Sequence, residues 1–391
     1  MEKRFIYADN AATTPLSETA LNAMLPWLKE GYGNPSSVYR IARESRIALE
    51  NARKTVAECL GAKPTEIYFT SGGTEGDNWA IKGALARSRR KGVIISNVEH
   101  HAVLHSALAM EKFGFKVTEL PVRENGIVSP DDLRAMIDED TAIVSVMLAN
   151  NEIGTIQPIA ELAAIAHEHG ALMHTDAVQA AGHIPIDVKE LGVDILTISA
   201  HKFHGPKGVG VQYIRSGVRI TNLIDGGGHE RGRRSGTENV ASACGLAAAL
   251  KEAVDTLPER MPRLTAMRNR LIDGLLKIPY VQLTGDLDKR LPATVSVVIN
   301  AIEGEGLILT LDELGVCASS GSACTSGSLD PSHVLLAIGL KHEVAHGSLR
   351  LTLPDDIDED GVDYIIWAVA TAAERLRAMS PVWDSSAGRP M

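Results

Sequence analysis

At 391 residues, with 45% apolar and 23% charged side chains, the chain can bury a large core and is expected to form more than one packed unit rather than a disordered segment. A net charge of −10 argues against a nucleic-acid-binding surface, since neutralising phosphates needs clustered Lys and Arg; the run Arg231, Arg233, Arg234 is either a local basic cleft or a solvated turn. The amino terminus has too little apolar sequence for a signal peptide, and no window approaches the ~18 apolar residues of a membrane span, so a cytoplasmic, membrane-free protein is expected. Four cysteines (Cys59, Cys244, Cys317, Cys324) fit neither a disulfide framework nor a paired CxxC zinc pattern.

In chain order, a helical stripe through Val38, Ile41, Ser45, Leu49, Ala52 and Val56 ends at Gly61. From about Glu66 to Tyr213, short apolar runs alternate with amphipathic stretches. The runs are EIYF, GVII, KVTEL, TAIVSVML, ALMHT, DILTIS and GVGVQYI. That alternation predicts an α/β unit with a mainly parallel sheet, and TAIVSVML lacks the polar alternation of a half-exposed strand. Ile159, Leu162, Ala163 and Ala166 form another core stripe. A helix from about Glu238 to Thr256 meets Pro258 and Pro262, the second of which can open a further helix to about Lys277. A boundary there divides the chain into a large unit, residues 15–257, and a small α+β unit, residues 1–14 and 258–391. The small unit takes TVSVVI and GSLRLTL as strands and a stripe through Val362, Ile365, Ile366, Val369 and Leu376 as a helix. The tail after Trp383 is expected to fray.

Chemistry-bearing motifs sit at the ends of the predicted strands. In FTSGGTEGDN a strand gives way to glycines and a helix start, where exposed N–H groups and the helix dipole can hold a phosphate; Gly73 and Thr74 are the expected contacts. In SNVEHHAV, His100 follows GVII at the sheet's carboxyl edge and can stack on a ring and move protons. His101 and His105 add a metal alternative, for which nothing else supplies ligand spacing. In HTDAVQ, Asp176 ends a strand, three residues before Gln179. A carboxylate there suits a pyridine nitrogen; a helix N-cap is the plainer alternative. In SAHKFHGPKGVG, Lys202 follows DILTIS and suits a Schiff base with a phosphate-bearing aldehyde, against the alternative of a surface lysine. In CASSGSACTSGSLDPSH, Cys324 lies among Ser, Gly, Ala and Thr, a composition that favours a mobile loop. Five extended residues could carry its thiol ~15 Å. Cys317, in more apolar sequence, reads as packed.

These motifs, with YADNAATTP, GNPSS, ANNEIGT, GGGHERGRRSGTEN, AHGSLRLTL and MSPVW, run in an order that resembles the cysteine desulfurases of the NifS/IscS type over nearly the whole chain. The resemblance implies a fold-type I pyridoxal 5'-phosphate (PLP) transferase, with a large domain around a mainly parallel sheet flanked by helices and a smaller α+β domain carrying a cysteine loop at about 317–330. It makes Lys202 the cofactor-bound lysine, Asp176 the pyridinium partner, Gln179 the donor to the ring hydroxyl and His100 the stacking acid/base. Gly73, Thr74, Ser199 and His201 become phosphate ligands, with Thr237 reaching across from a second subunit of a homodimer. Asn151 and Arg350 would grip the carboxylate of L-cysteine, Arg350 as a two-pronged fork. Cys324 would carry the persulfide, hand sulfur to an iron-sulfur scaffold of the NifU/IscU kind, and act as a transient cluster ligand. The GRRSGTEN, IEGE, SGSLDPSH and MSPVW segments resemble the nitrogen-fixation branch. One departure stands out, Gly76 where the family usually has serine, and it is expected to loosen the helix start slightly without touching the chemistry. Selenocysteine lyase, cysteine sulfinate desulfinase and PLP aminotransferase activities are the enzymatic alternatives, and a non-catalytic sulfur-delivery scaffold is the other class.

Overall fold

The computed structural model describes residues 3–320, 331–384 and 386–390. After a short strand β1 (Ile6–Tyr7), every apolar run between Glu66 and Tyr213 forms a strand. These are β2 (Ile67–Thr70), β3 (Gly92–Ser96), β4 (Lys116–Leu120), β5 (Thr141–Ser145), β6 (Leu172–Asp176), β7 (Ile195–Ser199) and β8 (Gly210–Ile214). They make one seven-stranded sheet in the order β2-β8-β7-β6-β5-β3-β4. β8 runs antiparallel to both neighbours and the remaining pairs are parallel. β5 and β7 are buried at every position, as strands covered by helices on both faces must be. The run TAIVSVML leaves the sheet at Ser145 instead of continuing to Leu148. Beyond it Val146 and Leu148 still donate to the carbonyls of His174 and Asp176, at 3.2 and 2.8 Å, so the backbone stays satisfied while it turns into the site.

A second, antiparallel sheet joins β9 (Val281–Leu283), β10 (Thr294–Ile299) and, after β11 (Val316–Cys317), β12 (Ser348–Thr352) in the order β12-β10-β9. β11 pairs with β1, which brings the amino terminus into this sheet's core beside Val295, Val297 and Leu351. Val362, Ile365 and Val369 of the helix Glu359–Met379 pack into the same core.

Three expectations change. The break expected at Pro258 and Pro262 is absent, and a single helix, Val240–Leu275, carries both prolines inside it. A proline there forfeits one backbone bond; near the first of them the Arg260 guanidinium donates to the carbonyl of Ala253 at 3.2 Å, and packing at both ends holds the rest. Val38 is 90% exposed and precedes the helix Arg40–Leu60, whereas Ser45, Leu49, Ala52 and Val56 are core, and Gly61 caps the helix at φ 69°. The tail after Trp383 is ordered where described: Trp383–Asp384 pairs with Arg389–Pro390, and the Trp383 ring meets Arg377 at 4.5 Å and Tyr280 edge-on at 5.6 Å.

Two arginines of the run are committed to the protein's own groups, while the buried Arg233 Nε has no hydrogen-bond partner among the described residues. Arg234 binds both oxygens of Glu75 at 2.8 and 3.0 Å, and Arg231 donates to Ile67 O at 2.7 Å while lying over the Tyr68 ring. Next to them Glu230 forms a buried two-point pair with Arg53, at 2.7 and 2.9 Å, and also accepts from Phe69 N. Removing one partner strands a charge, so Glu230→Ala is expected to cost about 3–5 kcal/mol, read as a lower urea midpoint with an unchanged slope. No described helix is long and apolar enough to cross a membrane.

Candidate active site

β2, β3, β5, β6 and β7 all run in one direction, so their carboxyl ends share one edge of the sheet, the place where open α/β sheets bind ligands. A cavity of about 390 Å³ opens there. It is lined by Gly73, Thr74, His100, Asn151, Asp176, Gln179, Ser199, His201, Lys202 and Arg350, ten of the twelve residues expected from sequence. Thr237 lines a different cavity, with Ser71 and Glu238. Cys324 lies outside the described residues.

Lys202 stands just past β7, its Nζ donating to the carbonyls of Ala11 and Ala12 at 2.7 and 2.8 Å. The lysine is therefore aimed into the cavity by the amino-terminal segment. Asp176 ends β6; its Oδ1 accepts from Val178 N at 2.8 Å, a turn of the kind a helix cap makes, while the residue still lines the cavity. Burial pushes its carboxyl up to about 6, against the pull of the Val178 N–H and the Lys202 charge. Gln179 Nε2 donates to Ala11 O at 3.0 Å, which leaves its second amide hydrogen for a ligand.

His100 caps the helix His101–Met110, its Nδ1 accepting from Ala102 N at 3.1 Å. An imidazole that accepts at Nδ1 carries its proton at Nε2 when neutral. Burial and the Lys202 charge push this ring down to about 4, so at neutral pH His100 is an uncharged Nε2–H donor. His101 stacks on His105 and leans on His333, at 4.9 Å between centroids in each case.

Gly73 and Thr74 open the helix Gly73–Arg87, behind Gly72 at φ 151° and ψ −174°, a conformation that side chains rarely adopt. The helix start, Thr13, Ser199 and His201 together line an adjoining cavity, where backbone N–H groups and hydroxyls suit a phosphate. Gly76 overturns its expected innocence. A Cβ there would lie 2.5 Å from both Thr197 Cγ2 and Gln212 Oε1, so glycine allows the helix to seat on β7 and β8. Gly76→Ser is expected to cost about 1–3 kcal/mol by overpacking, measured as a fall in thermal midpoint.

Arg350 of β12 is 3% exposed; it donates to Asn151 O at 2.9 Å and pairs with Asp9 at 2.8 Å, leaving its Nε buried with no partner among the described residues. The fork thus meets the cavity already engaged on one side. Sequence reasoning passed over Asp9, Asp77, Glu99, Glu152 and His333. All five lie in quoted motifs, YADNAATTP, EGDN, SNVEHHAV, ANNEIGT and SGSLDPSH, yet nothing in those strings signals their place at the site. Glu152 accepts from Ser332 Oγ, and burial raises it to about 7 despite Arg350 nearby. The donor set fits PLP: an amine, a carboxylate lining the cavity, an imidazole, and a glycine-rich helix start.

Residues 6–365 match the family described as Aminotransferase class-V. The chain is 52% identical over 383 residues to cysteine desulfurase IscS of Methanosarcina thermophila, covering 97% of this chain and 95% of that protein. Among solved structures it is similar to a NifS-like protein at TM-score 0.90 and 39% identity, covering 95% of this chain and all of that one. It is also similar to SspA in complex with cysteine at TM-score 0.79 and 34% identity, covering 90% and 99%. With its motifs, its sheet and this cavity in agreement with those relatives, the chain belongs to the PLP-dependent cysteine desulfurases of the class-V aminotransferase family.

Proposed function

We propose that this enzyme takes the sulfur from L-cysteine onto Cys324 as a persulfide and releases L-alanine, using the cavity residues in the following roles. The observation that carries the reading is the convergence of Lys202, Asp176 and His100 at one cavity beside a glycine-rich helix start. When bound, PLP supplies an aldehyde and an electron-withdrawing ring. Lys202 would hold the aldehyde and act as the base that takes the α-proton. Asp176 would keep the ring nitrogen protonated, and Gln179 would donate to the ring hydroxyl. Gly73, Thr74, Ser199 and His201 hold the phosphate, with Thr237 contributed by the second subunit of a homodimer. Asn151 and Arg350 receive the substrate carboxylate, and the unpartnered Arg350 Nε supports that role.

His100 donates first, from Nε2, and becomes an acceptor only afterwards. It can then help deprotonate the attacking thiol, since the thiolate is the nucleophile. In the transfer, Cys324 sulfur bonds to substrate sulfur, the substrate C–S bond breaks, and its electron pair takes up a proton to give the alanine methyl group. Cysteine plus enzyme thiol thus yields alanine plus enzyme persulfide, with atoms and electrons balanced.

The persulfide passes to an iron-sulfur scaffold protein, with Cys324 a transient cluster ligand, in a cytoplasmic enzyme that serves cluster assembly, nitrogenase maturation included. The division into residues 15–257 and 1–14 with 258–391 is part of the same proposal; it is supported by the separate cores that the helix Val240–Leu275 joins and by Ile6 and Ala8 lying in the second. The test is to measure alanine and sulfide from L-cysteine with a thiol reductant, beside selenocysteine and cysteine sulfinate, with and without a 2-oxo acid. Alanine and sulfide in equal amounts, with no need for a 2-oxo acid, is expected. A requirement for an amino acceptor would make the enzyme an aminotransferase.

A further inference from the structure

Asp77 is 1% exposed, lines the cavity, and has an Oδ1 with no hydrogen-bond partner among the described residues. It sits on the second turn of the helix Gly73–Arg87, the helix that Gly76 seats on the sheet. The groups facing it are a second carboxylate on β6, Asp176; the Glu99 carboxyl beyond β3; and the His174 ring of β6, whose Nε2 is 3.7 Å away. His174 offers no positive charge: Nδ1 lies 2.8 Å from Ser145 Oγ, Nε2 lies 3.0 Å from Thr197 Oγ1, and full burial pushes the ring down to about 3. The Lys202 charge pulls on Asp176, against that residue's burial.

We infer that Asp77 is a positioning residue that keeps the proton of the Asp77–Asp176 pair, so that Asp176 is the anion available to the ring nitrogen of the bound cofactor. Two buried carboxyls lining one cavity cannot both ionise cheaply, and the proton remains on the one whose Oδ1 has no partner among the described residues, while Asp176 accepts from Val178 N. Burial, then the Asp176 charge, drives Asp77 upward, against the hydroxyl of Thr197. Glu99 joins it: burial raises that carboxyl to about 8, although Ser96 and Met147 donate to it at 2.5 and 2.8 Å. The floor is then three acids with one charge, which balances one ring N–H cation. Ionising Asp77 as well would leave the floor with one negative charge more than a single ring N–H cation can balance. The inference rests on the reading of this cavity as the PLP site.

The test uses infrared spectroscopy of the full-length PLP-loaded protein at pH 7.5, in the protonated-carboxyl region, with cofactor absorbance recorded separately. Absent absorbance counts against the PLP reading, whereas the carboxyl band lost in Asp77→Asn reports on Asp77. The expected result is a deuterium-sensitive band that Asp77→Asn removes and Glu99→Gln leaves in place. A spectrum unchanged by Asp77→Asn overturns the inference. Should that variant fail to fold, Asp176→Asn serves: the pH at which the Asp77 band bleaches should fall by about one unit, and an unmoved midpoint overturns the pair. Thermal unfolding adds a second reading. A carboxyl raised by folding contributes stability below its unfolded pKa and loses it as pH rises through the folded value. The wild-type midpoint should therefore drop more between pH 6 and 9 than that of Asp77→Asn, and equal drops would count against the inference.

Discussion

A Lys202→Ala protein should lose at least about 10³-fold in turnover and give no pyridoxyl-lysine peptide after borohydride reduction and mass mapping. The reason is placement as much as chemistry. Lys202 is the lysine that lines the cavity, and the Ala11 and Ala12 carbonyls hold its Nζ there at 2.7 and 2.8 Å. Alanine removes both the aldehyde-binding amine and the base. Because Asp176, His100 and the glycine-rich helix start remain, the variant should still bind PLP non-covalently, at a shifted absorbance maximum. Turnover within tenfold of wild type, or an adduct on another lysine, would contradict the assignment.

Cys324→Ala should bring sulfide release to background, a fall of at least about 10³-fold, while the cofactor absorbance stays as in the wild type. Its neighbours in sequence explain why no other cysteine should substitute. Ser319, five positions before it in sequence, exchanges backbone bonds of 3.2 and 2.7 Å with Arg350. Ser332, eight positions after it, is bonded to Glu152, and both Arg350 and Glu152 line the cavity. Cys59 and Cys244 are pushed by burial to about 11, and Cys317 is raised by the same cause, so all three are poor nucleophiles at neutral pH. Persistent sulfide formation in Cys324→Ala, with cysteine as the sole sulfur source, would remove the carrier role.

Much of this site was readable before any coordinates. Asp176 and Ser199 stand at the ends of apolar runs and Lys202 lies three residues beyond one, and a strand's end in a parallel sheet is a place in space as well as in sequence, so ten expected residues meet at one cavity. The glycines of SGGTE carried the helix start for the same local reason. Gly76 went the other way. Its meaning depends on Thr197 and Gln212, more than a hundred positions along the chain, and a scale of helix propensity cannot see them.

Local order settled the strands, the helix stripes and the motif residues, because side-chain periodicity and turn chemistry act within a few residues. Packing settled what periodicity could not. The helix Val240–Leu275 runs through two prolines because both ends are anchored in cores, and two arginines of the run turned inward to Glu75 and to Ile67 O. Asp77, Glu99 and Glu152 read as ordinary acids in the sequence and are raised once folding buries them, Asp77 and Glu99 also by the Asp176 charge. Charge at a site is set by desolvation and by distant neighbours, and those exist only once the chain has folded.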